Sequence, residues 1–193
     1  MLRKKRNGLT IFIVHIIERN FLLSIILIVT SAQILPTLAA AQANDETKSA
    51  VEQAIKRTFE MIRAHDYRNA YLALPNEARR ETTLQNFMAD LRESESRYVA
   101  DRIEVKDIQV ADKFALAHTT MYGRTVYPRS AEGKIIIQQL LVLEDGTWRV
   151  ATSFRAFYKL LKKQQPELAK KYRIRRARVY TRDGNGWSEV ITQ

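Results

Sequence analysis

The chain contains no cysteine. That excludes a disulfide framework, a thiolate zinc site, a cysteine nucleophile and lipid attachment through a cysteine. Glycine and proline are also scarce, six and four residues in 193, so few breaks interrupt regular structure. Apolar residues make up 46% and aromatics 9% of the chain, enough for a core and too much for wholesale disorder. The three histidines, His15, His65 and His118, form no His-Glu-x-x-His or other paired spacing, which argues against a metal site and a cofactor. No Gly-x-Ser-x-Gly occurs, so nucleophilic hydrolysis has no support. Gly133-Lys134 lacks the upstream glycine and the hydroxyl residue of a phosphate loop. Gly184 and Gly186 lie in Asp183-Gly184-Asn185-Gly186 between strand-like segments, where a hairpin turn is the natural reading.

Acidic residues are scarce in the first 43 residues, where Glu18 is the one acid, and between Lys159 and Arg182. The N-terminus carries Arg3, Lys4, Lys5 and Arg6, and after Glu18-Arg19-Asn20 comes the apolar run Phe21–Val29. Pro36 and the small-residue series Leu38–Ala43 follow. A basic segment, an apolar run and an A-x-A site together read as a secretory signal, residues 1–43, with cleavage expected after Ala43 and Ala41 as the second choice. The competing expectation is an uncleaved anchor, because the 23 residues from Phe21 to Ala43 carry no charge. Either reading places the remainder outside the inner membrane, with the positive terminus cytoplasmic.

From Asn44 to Tyr158 there are 17 basic and 17 acidic residues, whereas Lys159 to Arg182 holds ten basic residues and the single acid Glu167. A neutral domain, residues 44–154, is therefore expected to carry a basic extension, residues 155–193.

Periodicity predicts helices first and strands later. Asp45 is a plausible cap for a helix bearing Val51, Ile55, Phe59 and Ile62. A short helix over Tyr67–Leu74 stops before Pro75, and a third starts at the capping box Thr82-Thr83-Leu84-Gln85. Ile103 and Val105, then Ile108 and Val110, read as one strand whose phase slips at Lys106-Asp107, the mark of a bulge. Phe114–Tyr127 and Gly133–Leu143 are long strands, and Glu144-Asp145-Gly146 turns tightly into Thr147–Thr152. In the extension, Phe154, Phe157, Tyr158 and Leu161 form a helical stripe, Pro166 starts a short helix, and Arg173–Arg182 leads into a hairpin ending near Ile191. The fold class is α+β, with helices packed on one face of an antiparallel sheet.

A helix, then His65-Asp66-Tyr67-Arg68-Asn69-Ala70-Tyr71-Leu72-Ala73-Leu74-Pro75, then a third helix and a meander closing on Asp145-Gly146-Thr147-Trp148-Arg149-Val150 resembles the nuclear transport factor 2-like (cystatin-like cone) superfamily over residues 45–154. The resemblance implies three N-terminal helices on a strongly bent sheet with a conical pocket. It also implies possible homodimerisation. It says little of activity, since the superfold hosts isomerases, dehydratases and scaffolds.

Alternation places His118 and Tyr122 on one side of their strand, and Tyr67 and Tyr71 share a helix face. Gln138 and Gln139 interrupt a very apolar strand and need partners. These six residues are the candidate pocket, for a small apolar or amphipathic ligand. No catalytic residue is assigned, because no carboxylate base is visible beside His118 and Tyr122. Lys162, Lys163, Lys170, Lys171, Arg173, Arg175, Arg176, Arg178 and Arg182 are candidates for contact with an anionic envelope surface or an acidic protein. The export signal argues against nucleic acid. The expected function is an exported, non-catalytic binding or scaffold domain. The alternatives are a small-molecule isomerase or dehydratase, and an anchored periplasmic scaffold of a secretion system.

Overall fold

The computed structural model describes residues 35–126, 130–151, 154–171, 175 and 177–190. The predicted leader falls mostly outside them, and among the described residues no helix is long and apolar enough to cross a membrane.

Among the described residues four helices precede the strands, rather than the three expected: α1 (Leu35–Arg63), α2 (Tyr67–Leu72), α3 (Asn76–Glu81) and α4 (Leu84–Arg97). Asp45 is not a cap but an interior residue of α1, since the alanine-rich segment before it is itself helical. Asp66 caps α2 by accepting from the Asn69 N–H. The cap of α4 is Thr83, one residue later than expected, its hydroxyl accepting from the Asn86 N–H at 3.2 Å. Thr82 instead ends α3. This additional helix, Asn-Glu-Ala-Arg-Arg-Glu, starts directly after Pro75 and buries only Ala78.

The strands are β1 (Tyr98–Ala111), β2 (Phe114–Thr125), β3 (Ala131–Glu144) and β4 (Thr147–Ala151). Helices α5 (Phe154–Gln164) and α6 (Pro166–Lys171) follow, then β5 (Arg178–Asp183) and β6 (Gly186–Val190). All six strands form one antiparallel sheet. Its central strand, β3, pairs with β2 over Ala131–Val142 and shares its other edge between two strands. Leu140–Glu144 pair with β4, and Gly133–Ile136 pair with β5.

The register of β1 on β2 shifts between Lys106 and Gln109, where the phase slip predicted it, and again between Ala100 and Arg102. Asp107 takes a positive φ of 51° in the first shift. The extra residue returns Ile108 and Val110 to the face that holds Ile103 and Val105. At the second shift Gly123 is obligatory: a Cβ there would overlap the Val99 carbonyl oxygen. The Glu144–Thr147 turn uses Asp145 and Gly146, both at positive φ, as a tight hairpin requires.

Each sheet face carries its own core. On one face Phe114, Leu116, Leu140, Val142 and Ala151 pack with Ala70, Leu74, Ala78 and Phe87 of the helical region and with Phe157, Tyr158, Leu161 and Ala169 of α5 and α6. On the other, Ala115, Ala117, Leu141, Trp148 and Val150 pack with Val51 and Ile55 of α1. The residues after 154 thus supply part of the first core and an interior-paired strand of the same sheet. Leu161 is fully buried.

Candidate functional site

Cross-strand registers collect charged and aromatic residues on the half of the first face that lies beyond the helical core. Side chains directly opposite in an antiparallel pair stand on the same face, about 4.5–5.5 Å apart at Cβ. One such row runs Arg102 (β1), Tyr122 (β2), Lys134 (β3), Tyr180 (β5), a strict alternation of cation and ring across four strands. The contacts are real ones: the Arg102 guanidinium carbon lies 3.7 Å from the Tyr122 ring centre, and Lys134 Nζ lies 5.1 Å from that of Tyr180. Lys134 Nζ is also 4.4 Å from the ring centre of Trp187, which β6 brings to the same face opposite Arg182. Arg178 and Arg182 flank the two rings, at 5.9 Å from Tyr180 and 6.0 Å from Trp187. Each such contact contributes about 0.5–1 kcal/mol when exposed, and more when desolvated.

Two acids on this face, Glu104 and Glu132, are engaged, and a third, Glu189, stands opposite Tyr180 at the β6 end of the row. Glu104 accepts from Arg102 at 2.6 Å and from the Tyr122 hydroxyl at 3.3 Å, with Lys106 Nζ at 3.4 Å. The Arg102 hydrogen bond, with help from Lys106 and Tyr122, holds the Glu104 carboxyl below the ordinary carboxylate range. Glu132 accepts from Arg182 at 2.9 Å. Lys134 and Arg178 pair with no carboxylate among the described residues.

Two rows further along the same face is a second cluster. Gln138, 8% exposed, lies opposite His118, with 3.2 Å between the two Nε2 atoms. Its Oε1 accepts from the backbone N–H of Arg175 at 2.8 Å. On the far side of the ring, His118 Nδ1 is 3.6 Å from the Asp107 carboxylate. The bulge at Asp107 is what turns that carboxylate toward the histidine. The sequence reading, which found no carboxylate beside His118 and Tyr122, missed Asp107 next to the one and Glu104 next to the other. The phase slip at Lys106-Asp107 was the available signal.

Of the six candidate pocket residues, His118, Tyr122 and Gln138 come together here. Gln139 points to the opposite face, beside Ala117. Tyr67 and Tyr71 stand with the helices. Tyr67, buried, donates to Glu95 Oε2 at 2.7 Å and meets His65 Nδ1 at 2.6 Å. Burial and the Glu95 carboxylate push its phenol up to about 12. Tyr71 packs on Phe87 and donates to the carbonyl oxygens of Arg79 and Thr82, so it joins helices rather than lining a site.

The basic candidates divide as well. Arg178 and Arg182 join the cation–ring face, and Arg175 reaches it through its backbone. Lys162 and Lys163 are exposed on α5, Lys170 pairs with Glu167 at 2.7 Å, and Lys171 donates to Gln109 at 3.4 Å. Arg173 and Arg176 lie outside the described residues. Among the described residues no group of three or more His, Asp or Glu side chains could hold a metal ion. The chain matches no protein-family model and no curated protein.

Proposed function

We propose that the chain is an exported binding domain without catalytic function, whose cation–ring sheet face takes up an anionic partner. The row Arg102–Tyr122–Lys134–Tyr180 carries this reading. Rings between the cations keep their side chains extended above the sheet and space them, so less rotamer freedom is lost when an anion arrives. The nuclear transport factor 2-like cone remains the proposed architecture. The two register shifts in β1 support it, because bulges bend a sheet.

The isomerase alternative needs a base whose carboxyl is raised toward neutrality in an apolar cavity. Glu104, next to Tyr122, is lowered instead and is tied to two cations. His118 Nε2, the nitrogen that would receive a proton, faces the Gln138 amide. Both features favour binding over proton transfer.

The test is co-sedimentation with vesicles containing an anionic phospholipid, at low and moderate salt. Exchanging Arg102 and Arg178 together for Gln should weaken association about tenfold or more, from roughly 1 kcal/mol per basic side chain near such a surface. Association that ignores both salt and the substitutions would overturn the reading.

A further inference from the structure

We infer that Lys134, with Tyr180 and Trp187 as walls and Arg178 and Arg182 as flanks, forms a specific site for a phosphate group. The inference rests on the anionic-partner reading and narrows it to one side-chain cluster and one ligand chemistry.

Lys134 is half-buried at the centre of the sheet, with an aromatic ring on two sides. The rings displace water from the ammonium without supplying a hydrogen-bond acceptor, and no carboxylate among the described residues supplies one. A partly desolvated cation in that state gains most from an anion that completes its shell.

The flanking groups select among anions. The Tyr180 ring is shared by Lys134 and Arg178, and the Trp187 ring is shared by Lys134 and Arg182. One ammonium on β3 therefore stands opposite the midpoint between two guanidinium groups of the neighbouring strand β5. Arg178 has no acid to satisfy its fork among the described residues, while Arg182 commits only part of its fork to Glu132. A carboxylate offers two oxygens in one plane. A phosphate offers three, at tetrahedral angles, and more charge, so it suits three donors set on two adjacent strands, β3 and β5.

The phosphate could be a lipid headgroup or a free phosphomonoester, and the two are separable by experiment. The full chain, labelled with ¹⁵N on its indoles, gives one resonance each for Trp187 and Trp148, assigned with Trp187→Phe. Trp148 lies in the opposite core and serves as the internal control. At fixed ionic strength, glycerol 3-phosphate should shift the Trp187 indole saturably and leave Trp148 in place, with acetate at least fivefold weaker. Lys134→Gln should lose the response, and Lys134→Arg should recover part of it. Saturation by phosphatidylglycerol vesicles at far lower phosphate concentration than by glycerol 3-phosphate would identify the headgroup as the source. Equal concentrations would identify the free ester. If acetate matches glycerol 3-phosphate, or Lys134→Gln responds as the parent does, the phosphate site is overturned. Should the vesicles still sediment with the protein in that case, the broader anionic-partner reading stands. If they do not, both fall.

Discussion

The amide nitrogen of Gln138 lies 3.2 Å from Nε2 of His118, while the amide oxygen of the same side chain accepts from the Arg175 N–H at 2.8 Å. A backbone N–H can only donate, so the oxygen of Gln138 must face Arg175 and its NH₂ group must face the histidine. His118 Nε2 is then the acceptor and its proton sits on Nδ1, toward Asp107. Long-range ¹H–¹⁵N correlations of the imidazole should show the Nδ1–H tautomer. Gln138→Glu presents only acceptors and should move the proton to Nε2. An Nε2–H tautomer in the parent protein would refute the assignment.

Gln138 also tethers the segment leading into β5. Gln138→Leu removes the acceptor for the Arg175 N–H and the donor to His118, at a cost of about 1–3 kcal/mol. Amide exchange in β5 and β6 should quicken more than in β1 and β2, measured by hydrogen exchange.

Tyr67→Phe deletes the hydroxyl that joins α2 to Glu95 of α4. Unfolding in urea should show a loss of about 1.5–3 kcal/mol, the range for a hydrogen bond to a charged acceptor. The same residue shapes the alkaline limb of stability. Its phenol ionises near 10 when unfolded and at about 12 when folded, so the folded state keeps its proton longer. The associated stability is complete below pH 10 and is lost as pH rises toward 12. Burial raises Tyr98 in the same direction. Tyr67→Phe should therefore reduce the slope of stability against pH in that window without abolishing it.

Leu161→Ala should cost about 2–5 kcal/mol in the same measurement, because Leu161 is fully buried against the sheet and its loss leaves a cavity. A solvated, dispensable tail would show no change.

Gly123→Ala should be destabilising by about 1–3 kcal/mol or more, since its methyl group would meet the Val99 carbonyl oxygen and force β1 from β2 at the bulge. Gly184→Ala is the contrast. Nothing lies within contact of a Cβ there, so only its positive φ of 56° resists the change.

The strands and their turns were legible because half-buried strands alternate, and the slip at Lys106-Asp107 announced a real bulge. The α+β class followed from that. Helix α3 was not legible: six mostly polar residues with one buried alanine give no periodic signal, and only Pro75 marked its start. Asp45 misled because a good capping residue also occurs inside helices when an alanine-rich run precedes it. The functional face was legible only in fragments. Tyr122 and Arg178 were each named, but as parts of a pocket and of a tail. Nothing local in the sequence says that β5 pairs with β3 in the register that sets Tyr180 against Lys134, so Lys134, Tyr180 and Trp187 escaped notice as a set.

The shared edge of β3 imposes an order of assembly. Its partner at Leu140–Glu144 follows at once through a hairpin, but its partner at Gly133–Ile136 arrives only after two further helices have been made. Closing that long loop is the slow, entropically costly kind of contact. A nascent or clipped chain ending before β5 can complete β1 to β4, yet it has no Tyr180, Trp187, Arg178 or Arg182 to set beside Lys134. Anion uptake would thus report on docking of the β5–β6 hairpin, present only in molecules where that hairpin has paired with β3.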